Sequence, residues 1–180
     1  MSLNTLMQDL SNAGFQAVLM PIPLPTVACY FQKGGWQYRE QFFQQLDTVM
    51  DAIEATNGQA KNVAGGISFG GLHAMMAFAS VGRFEAWFAH VPVTYIDQPS
   101  EFPSVGDVPR FNSFWAIPAF IKSIGWISYG TLDTRVNWQL TAKLAAQFSP
   151  SVTVRAYAGQ DHSTNLQNIA DIFSFRSSLP

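Results

Sequence analysis

The stretch Gly65-Gly66-Ile67-Ser68-Phe69-Gly70-Gly71 decides how the rest of the chain is read. The short run Asn62-Val63-Ala64 leads into it as a strand, and Leu72 to Ser80 leaves it as a helix. Inside it, Gly66-Ile67-Ser68-Phe69-Gly70 reads G-x-S-x-G. A serine at a sharp strand-to-helix turn sits in strained backbone geometry, so small residues are expected two positions to either side. The hydroxyl then stands above the sheet. The amide of Phe69 points into the same space, at the positive end of the following helix. The plainer alternative is a glycine-rich turn that holds a serine by chance.

The elements around this turn repeat a pattern. Leu3, Leu6, Met7 and Leu10 share one face of a first helix, which Ser2 or Asn4 can cap and Gly14 can end. Ala17-Val18-Leu19-Met20 reads as a short buried strand, and Pro21, Pro23 and Pro25 force an extended loop after it. Tyr38 to Thr56 is the clearest helix, with Phe42, Phe43, Leu46, Val49, Met50 and Ile53 at three- and four-residue steps. A strand at 61–68, a helix at 71–81, a strand at 85–91, a strand at 124–129, a helix capped by Asn137 and a strand at 151–157 follow. A last helix, capped by Ser163 or Thr164, places Leu166, Ile169, Ile172 and Phe173 on one side.

Strands that alternate with helices predict an α/β fold. The expectation is one domain over 1–180, a doubly wound, mostly parallel sheet of about five or six strands with helices on both faces. Ligand sites in such sheets lie past the carboxyl ends of the strands. Ser68 stands there after one strand. Asp133 follows another, within Gly130-Thr131-Leu132-Asp133-Thr134-Arg135-Val136. His162 follows the last, within Gly159-Gln160-Asp161-His162. Serine hydroxyl is a poor nucleophile and needs a base to take its proton. Imidazole suits that role, and a carboxylate can hold its tautomer and stabilise its protonated form.

These three segments carry a resemblance. The chain resembles the α/β-hydrolase superfamily, and most of all its small, carboxylesterase-like serine hydrolases. The resemblance rests on the G-x-S-x-G turn, on a G-x-x-D-x-x-V acid segment and on the His162 loop, in that order. It implies Ser68 as nucleophile, Asp133 as acid, His162 as base and the Phe69 amide as one oxyanion donor. It also implies cleavage of carboxylic esters through an acyl-enzyme. Thioesters or amides are open alternatives, as is a non-catalytic interaction module on the same fold. Larger members have more strands ahead of the nucleophile and a loop there that supplies a second oxyanion amide. If 17–20 is the family's third strand, Ile22, Leu24 or Thr26 would supply it, since the intervening prolines have no N–H. If it is the fourth, that loop is missing. The chain is thus either a minimal hydrolase or a fragment of a larger one.

Residues 94–122 stand apart, rich in proline and aromatic side chains. Such a loop is either a lid or a layer folded onto the core. In the first reading Phe102, Phe114, Trp115 and Phe120 line an acyl or alcohol pocket for an uncharged, hydrophobic ester.

The remaining residues narrow the function. Only 12% of the 180 residues are charged, against about 25% in typical domains. This leaves room for an apolar patch or a homo-oligomer interface, set against any sheet edge that the short front exposes. A net charge of −2 makes no electrostatic case for nucleic acid. The single cysteine, Cys29, has no internal partner, and reads as idle. No run reaches the roughly 18 apolar residues of a membrane span, and the first residues lack the features of a secretion signal, so the expected location is cytoplasmic. The histidine spacing suits no metal, and the glycines suit no dinucleotide, so no cofactor is expected. Asp97 is a weaker candidate for the acid than Asp133. Asp161 reads as a local loop cap, His73 as a structural histidine and His90 as a packed core residue.

Overall fold

The computed structural model describes residues 8, 11, 12, 18, 20, 36–57, 62–93, 123–148 and 150–179. The chain divides into two compact units. Met1–Pro21 with Ser163–Pro180 forms one, and Ile22–His162 forms the other.

The larger unit holds α1 (Trp36–Asn57), β1 (Val63–Ile67), α2 (Phe69–Val81), β2 (Ala86–His90), β3 (Ile124–Gly130), α3 (Trp138–Ala145) and β4 (Val152–Tyr157). The strands form one sheet in the order β1-β2-β3-β4, and every pair is parallel. Parallel neighbours need a crossover between them. α2 and α3 provide two of these, and residues 91–123 span the third. Register aligns Ile67, His90, Ser128 and Arg155 across the sheet, so all four strands end at one edge.

The predicted α/β class and parallel sheet hold, with four strands among the described residues where five or six were expected of the chain. Of the expected strand at 17–20, only Val18 and Met20 are described. Neither is in a strand and Val18 is 47% exposed, whereas Ala17 and Leu19 lie outside the described residues.

α2 carries the core. Leu72 to Ala77 are all buried, as suits a helix that is apolar all round. It packs against β1 and β2, and α1 reaches it from outside with Phe42, Leu46 and Met50 inward. Trp87 on β2 meets Phe78 of α2 at 6.3 Å and Phe148, just past α3, at 5.7 Å. Both helices therefore cover the same face. Leu72, Met75, Trp87, Trp126, Ile127 and Leu144 are all under 2% exposed, and each such burial is worth about 1.5–3 kcal/mol. Gly82 ends α2 at φ 67, in the left-handed region where glycine has no steric penalty. Asn137 caps α3 as expected, with its side chain accepting from the Leu140 amide.

In the smaller unit, α4 spans Leu166–Ser177. Its cap is neither Ser163 nor Thr164. The Asn165 and Asn168 side chains each accept the other's backbone N–H, at 3.0 and 2.8 Å, which is the reciprocal arrangement of a capping box. Ile169, Ile172 and Phe175 are buried, whereas Leu166 is 77% exposed and does not belong to the inward face. No described helix is long and apolar enough to cross a membrane.

Candidate active site

Ser68 is the junction between β1 and α2. Its backbone has φ 56 and ψ −120, a conformation that side chains rarely adopt. Strain of this kind costs on the order of 1–3 kcal/mol and persists only where the surroundings impose it. Here β2 does so. The Ser68 N–H donates to His90 O at 2.8 Å, and Ser68 O accepts from Val93 N at 3.1 Å. The first turn of α2 adds Gly71 N and Leu72 N on the same oxygen.

The two glycines of G-x-S-x-G are not equivalent. A Cβ at Gly66 would lie 2.1 Å from Gly70 O, so no side chain fits there. A Cβ at Gly70 would meet nothing within 4 Å among the described residues. Among the described residues, the expected close approach at the serine's two glycine neighbours is thus seen at Gly66. The close approach on the far side is at Gly71, where a Cβ would come 2.9 Å from the Pro92 side chain.

Asp133 lies in the loop after β3. Its Oδ1 accepts the N–H groups of Arg135 and Val136, both at 2.9 Å. This is the turn that aspartate forms with its own following backbone. Oδ2 is left to accept the Nδ1–H of His162 at 2.7 Å. The Asp133 side chain is 1% exposed and that of His162 11%. On its other side, His162 Nε2 accepts the Ser68 hydroxyl at 2.7 Å. Ser68, His162 and Asp133 thus form one continuous hydrogen-bonded chain, within the larger unit.

The Asp133 and His162 loops are fastened to each other. Leu132 N donates to Gln160 O at 2.9 Å, Thr131 N to Tyr157 O at 3.1 Å, and Gly159 N to the Thr131 hydroxyl at 3.0 Å. They cross over Gly130, where a Cβ would lie 2.3 Å from Gln160 O. Thr131 occupies a variable place in its motif, and nothing in the one-dimensional pattern marks it.

Phe69 opens α2, so its amide lies at the positive end of the helix dipole. Ile22, Leu24 and Thr26, the candidates for a second donor, fall outside the described residues. So do the pocket candidates Phe102, Phe114, Trp115 and Phe120, as well as Asp97 and Cys29. Asp161 is exposed beside the site.

The other two histidines are buried. His73 sits on α2 with its Nδ1–H donating to Phe69 O at 2.9 Å and its ring edge-on to Phe42 and Phe69. Burial pushes its pKa down to about 4, so the ring is neutral near pH 7. His90 is fully buried at the end of β2 and shares a 2.7 Å hydrogen bond with Ser128 Oγ on β3. Among the described residues, no group of three His, Cys, Asp or Glu side chains is placed to hold a metal ion.

No protein-family sequence profile matches the chain, and neither does any curated protein. Solved structures do. The Thermus thermophilus protein TT1662 matches with a TM-score of 0.68 over 88% of this chain and 70% of its own, at 15% identity. The monoacylglycerol lipase of Paleococcus ferrophilus matches at 0.67 over 95% and 86%, also at 15% identity. A cold-adapted esterase from an Arctic intertidal metagenomic library matches at 0.57 over 73% of this chain and 54% of its own, at 16% identity. The chain spans about half the length of that esterase. The likeness at these identities is one of fold, and the fold is that of the α/β-hydrolases.

Proposed function

We propose that the chain is a serine hydrolase of carboxylic esters. The observation that carries this reading is the hydrogen-bonded chain from Ser68 Oγ through His162 to Asp133, with 2.7 Å at both steps.

In this reading Ser68 Oγ attacks the ester carbonyl carbon while His162 Nε2 takes its proton. Asp133 keeps the imidazole proton on Nδ1 and stabilises the imidazolium that forms. Its own orientation comes from the Arg135 and Val136 amides, so the carboxylate is set before substrate arrives. The tetrahedral oxyanion takes a hydrogen bond from the Phe69 amide, and a second donor from Ile22 or Leu24 belongs to the same proposal. Collapse breaks the ester C–O bond, and His162 returns the proton to the departing alcohol. This leaves an acyl group on Ser68. A water molecule gives a proton to His162 and attacks that acyl carbon, and the carboxylic acid leaves as Ser68 recovers its proton.

The esterase and lipase among the similar structures support esters as the substrate class. The aromatic segment 102–120, with Phe102, Phe114, Trp115 and Phe120, would receive an uncharged, hydrophobic acyl or alcohol group.

The test is labelling with a fluorophosphonate probe, read by intact mass, on the wild type and on Ser68→Ala. One adduct on the wild type and none on the variant supports the reading. No adduct on a folded wild type overturns it. A series of short-chain esters, thioesters and amides then assigns the substrate.

A further inference from the structure

His90 lies outside the hydrogen-bonded chain, yet it touches all three segments that carry that chain. Its carbonyl accepts the Ser68 N–H at 2.8 Å, so it grips the strained residue itself. Its imidazole holds Ser128 Oγ at 2.7 Å, on the strand that delivers Asp133. Its ring meets the Tyr157 ring edge-on, at 6.1 Å. Tyr157 is the last residue of β4, and its carbonyl accepts Thr131 N from the acid loop and Gln160 N from the base loop. His90 and Ser128 are both fully buried.

The backbone adds a second, independent observation. Val91, next after His90, has φ 42, which is rare for a β-branched residue. Its N–H is held by Ser128 O at 2.9 Å. The end of β2 is therefore fastened to Ser128 twice, once through the imidazole and once through the backbone. Strained backbone that the surroundings enforce at a strand end marks a place where position matters more than local stability.

We propose that His90 is a positioning residue for the triad, with the buried His90–Ser128 pair fixing the end of β2 so that Ser68, Asp133 and His162 converge. The inference rests on the hydrolase reading above. It predicts a particular kinetic signature. Misplacing the nucleophile lowers the rate of attack and leaves ground-state binding unchanged.

Three variants separate the contributions. His90→Phe keeps a buried ring without the hydrogen bond to Ser128. His90→Asn retains a polar nitrogen or oxygen near the place of Nδ1. Ser128→Ala removes the partner with minimal change of volume. We expect kcat to fall about 10- to 100-fold in His90→Phe and less in Ser128→Ala, with KM within about twofold. The rate of fluorophosphonate labelling should fall in proportion. His90→Asn should recover most of the loss. Wild-type kcat and labelling rate in both His90→Phe and Ser128→Ala would overturn the proposal. So would a loss that His90→Asn shares and that follows a drop in melting temperature, because that is the mark of a purely structural residue. If His90→Phe does not fold, Ser128→Ala decides alone. Failure of the wild type to label refutes the hydrolase reading itself and is told apart in the same experiment.

Discussion

Two regions bring side chains to the same point by opposite means. At the turn after β1, a single residue is bent into a backbone conformation it would not choose, and β2 holds it there. After β3 and β4, no such residue is used. Two loops cross over a glycine and hydrogen-bond to each other, and Asp133 is set by an ordinary turn of its own. Ser68 is placed by strain, and Asp133 and His162 by mutual bracing. Strain gives an exact direction at one atom. Bracing preserves the relation between two groups, one of which changes its protonation in the proposed reaction.

The largest effects should separate these regions by what is lost. Ser68→Ala is expected to lower ester turnover about 10,000-fold or more without lowering the melting temperature. Asp133→Ala should lower turnover about 1,000-fold and should also destabilise the fold by about 1–3 kcal/mol, because the Arg135 and Val136 amides lose their acceptor. Denaturant titration beside ester assays checks both. Equal stability in the two variants would break the contrast between strain and bracing.

Next come the glycines. Gly66→Ala and Gly130→Ala should each cost about 3 kcal/mol or more, since the added methyl has no space at either. Gly70→Ala, in the same motif as Gly66, should instead stabilise by about 0.5–1 kcal/mol through helix propensity. Urea midpoints of the three variants decide this, and a severe loss at Gly70 would mean the turn is tighter than described.

The turn also responds to pH through His73, behind it on α2. Above pH 6.5 the ring is neutral in both folded and unfolded chains. As pH falls below 6.5 the unfolded chain binds a proton that the folded protein refuses, so stability drops until about pH 4, where the folded protein binds one too. The full loss is about 3 kcal/mol. Urea midpoints at pH 7 and pH 4.5 measure it, and His73→Phe should flatten that slope. A small gain in stability is also expected at the serine itself. Ser68→Gly should gain about 1 kcal/mol as the strain at φ 56 is released, at the expense of all turnover.

How much of this was legible in the chain follows from how local each signal is. The turn at Ser68, the acid segment and the His162 loop were readable because each is a short pattern at the end of a strand, and a parallel sheet brings such ends together. His90 and Ser128 were not, because they lie 38 residues apart and meet only through the register of β2 against β3. A histidine in an otherwise apolar strand carries no mark of the hydroxyl it will face. The crossing at Gly130 is hidden for the same reason. At Ala17-Val18-Leu19-Met20, a run of four apolar residues reads as buried whether or not anything covers it, and Val18 is nearly half exposed. At α4, Ser163, Thr164 and Asn165 are all good caps by type. Only the reciprocal partner, Asn168, selects among them.

The in-register ends of the four strands act as a ruler. Ile67, His90, Ser128 and Arg155 lie side by side, and the turn and the two crossing loops begin within a few residues of that line. Deleting one residue from any strand would draw its loop back by roughly 3.3 Å and turn every side chain beyond it to the opposite face. Insertions at the other ends of the strands, such as the turn at Gly82–Glu85 that leads into β2, change nothing on that line. Length variation in this protein should therefore be polarised: tolerated where chains enter the sheet and forbidden where they leave it.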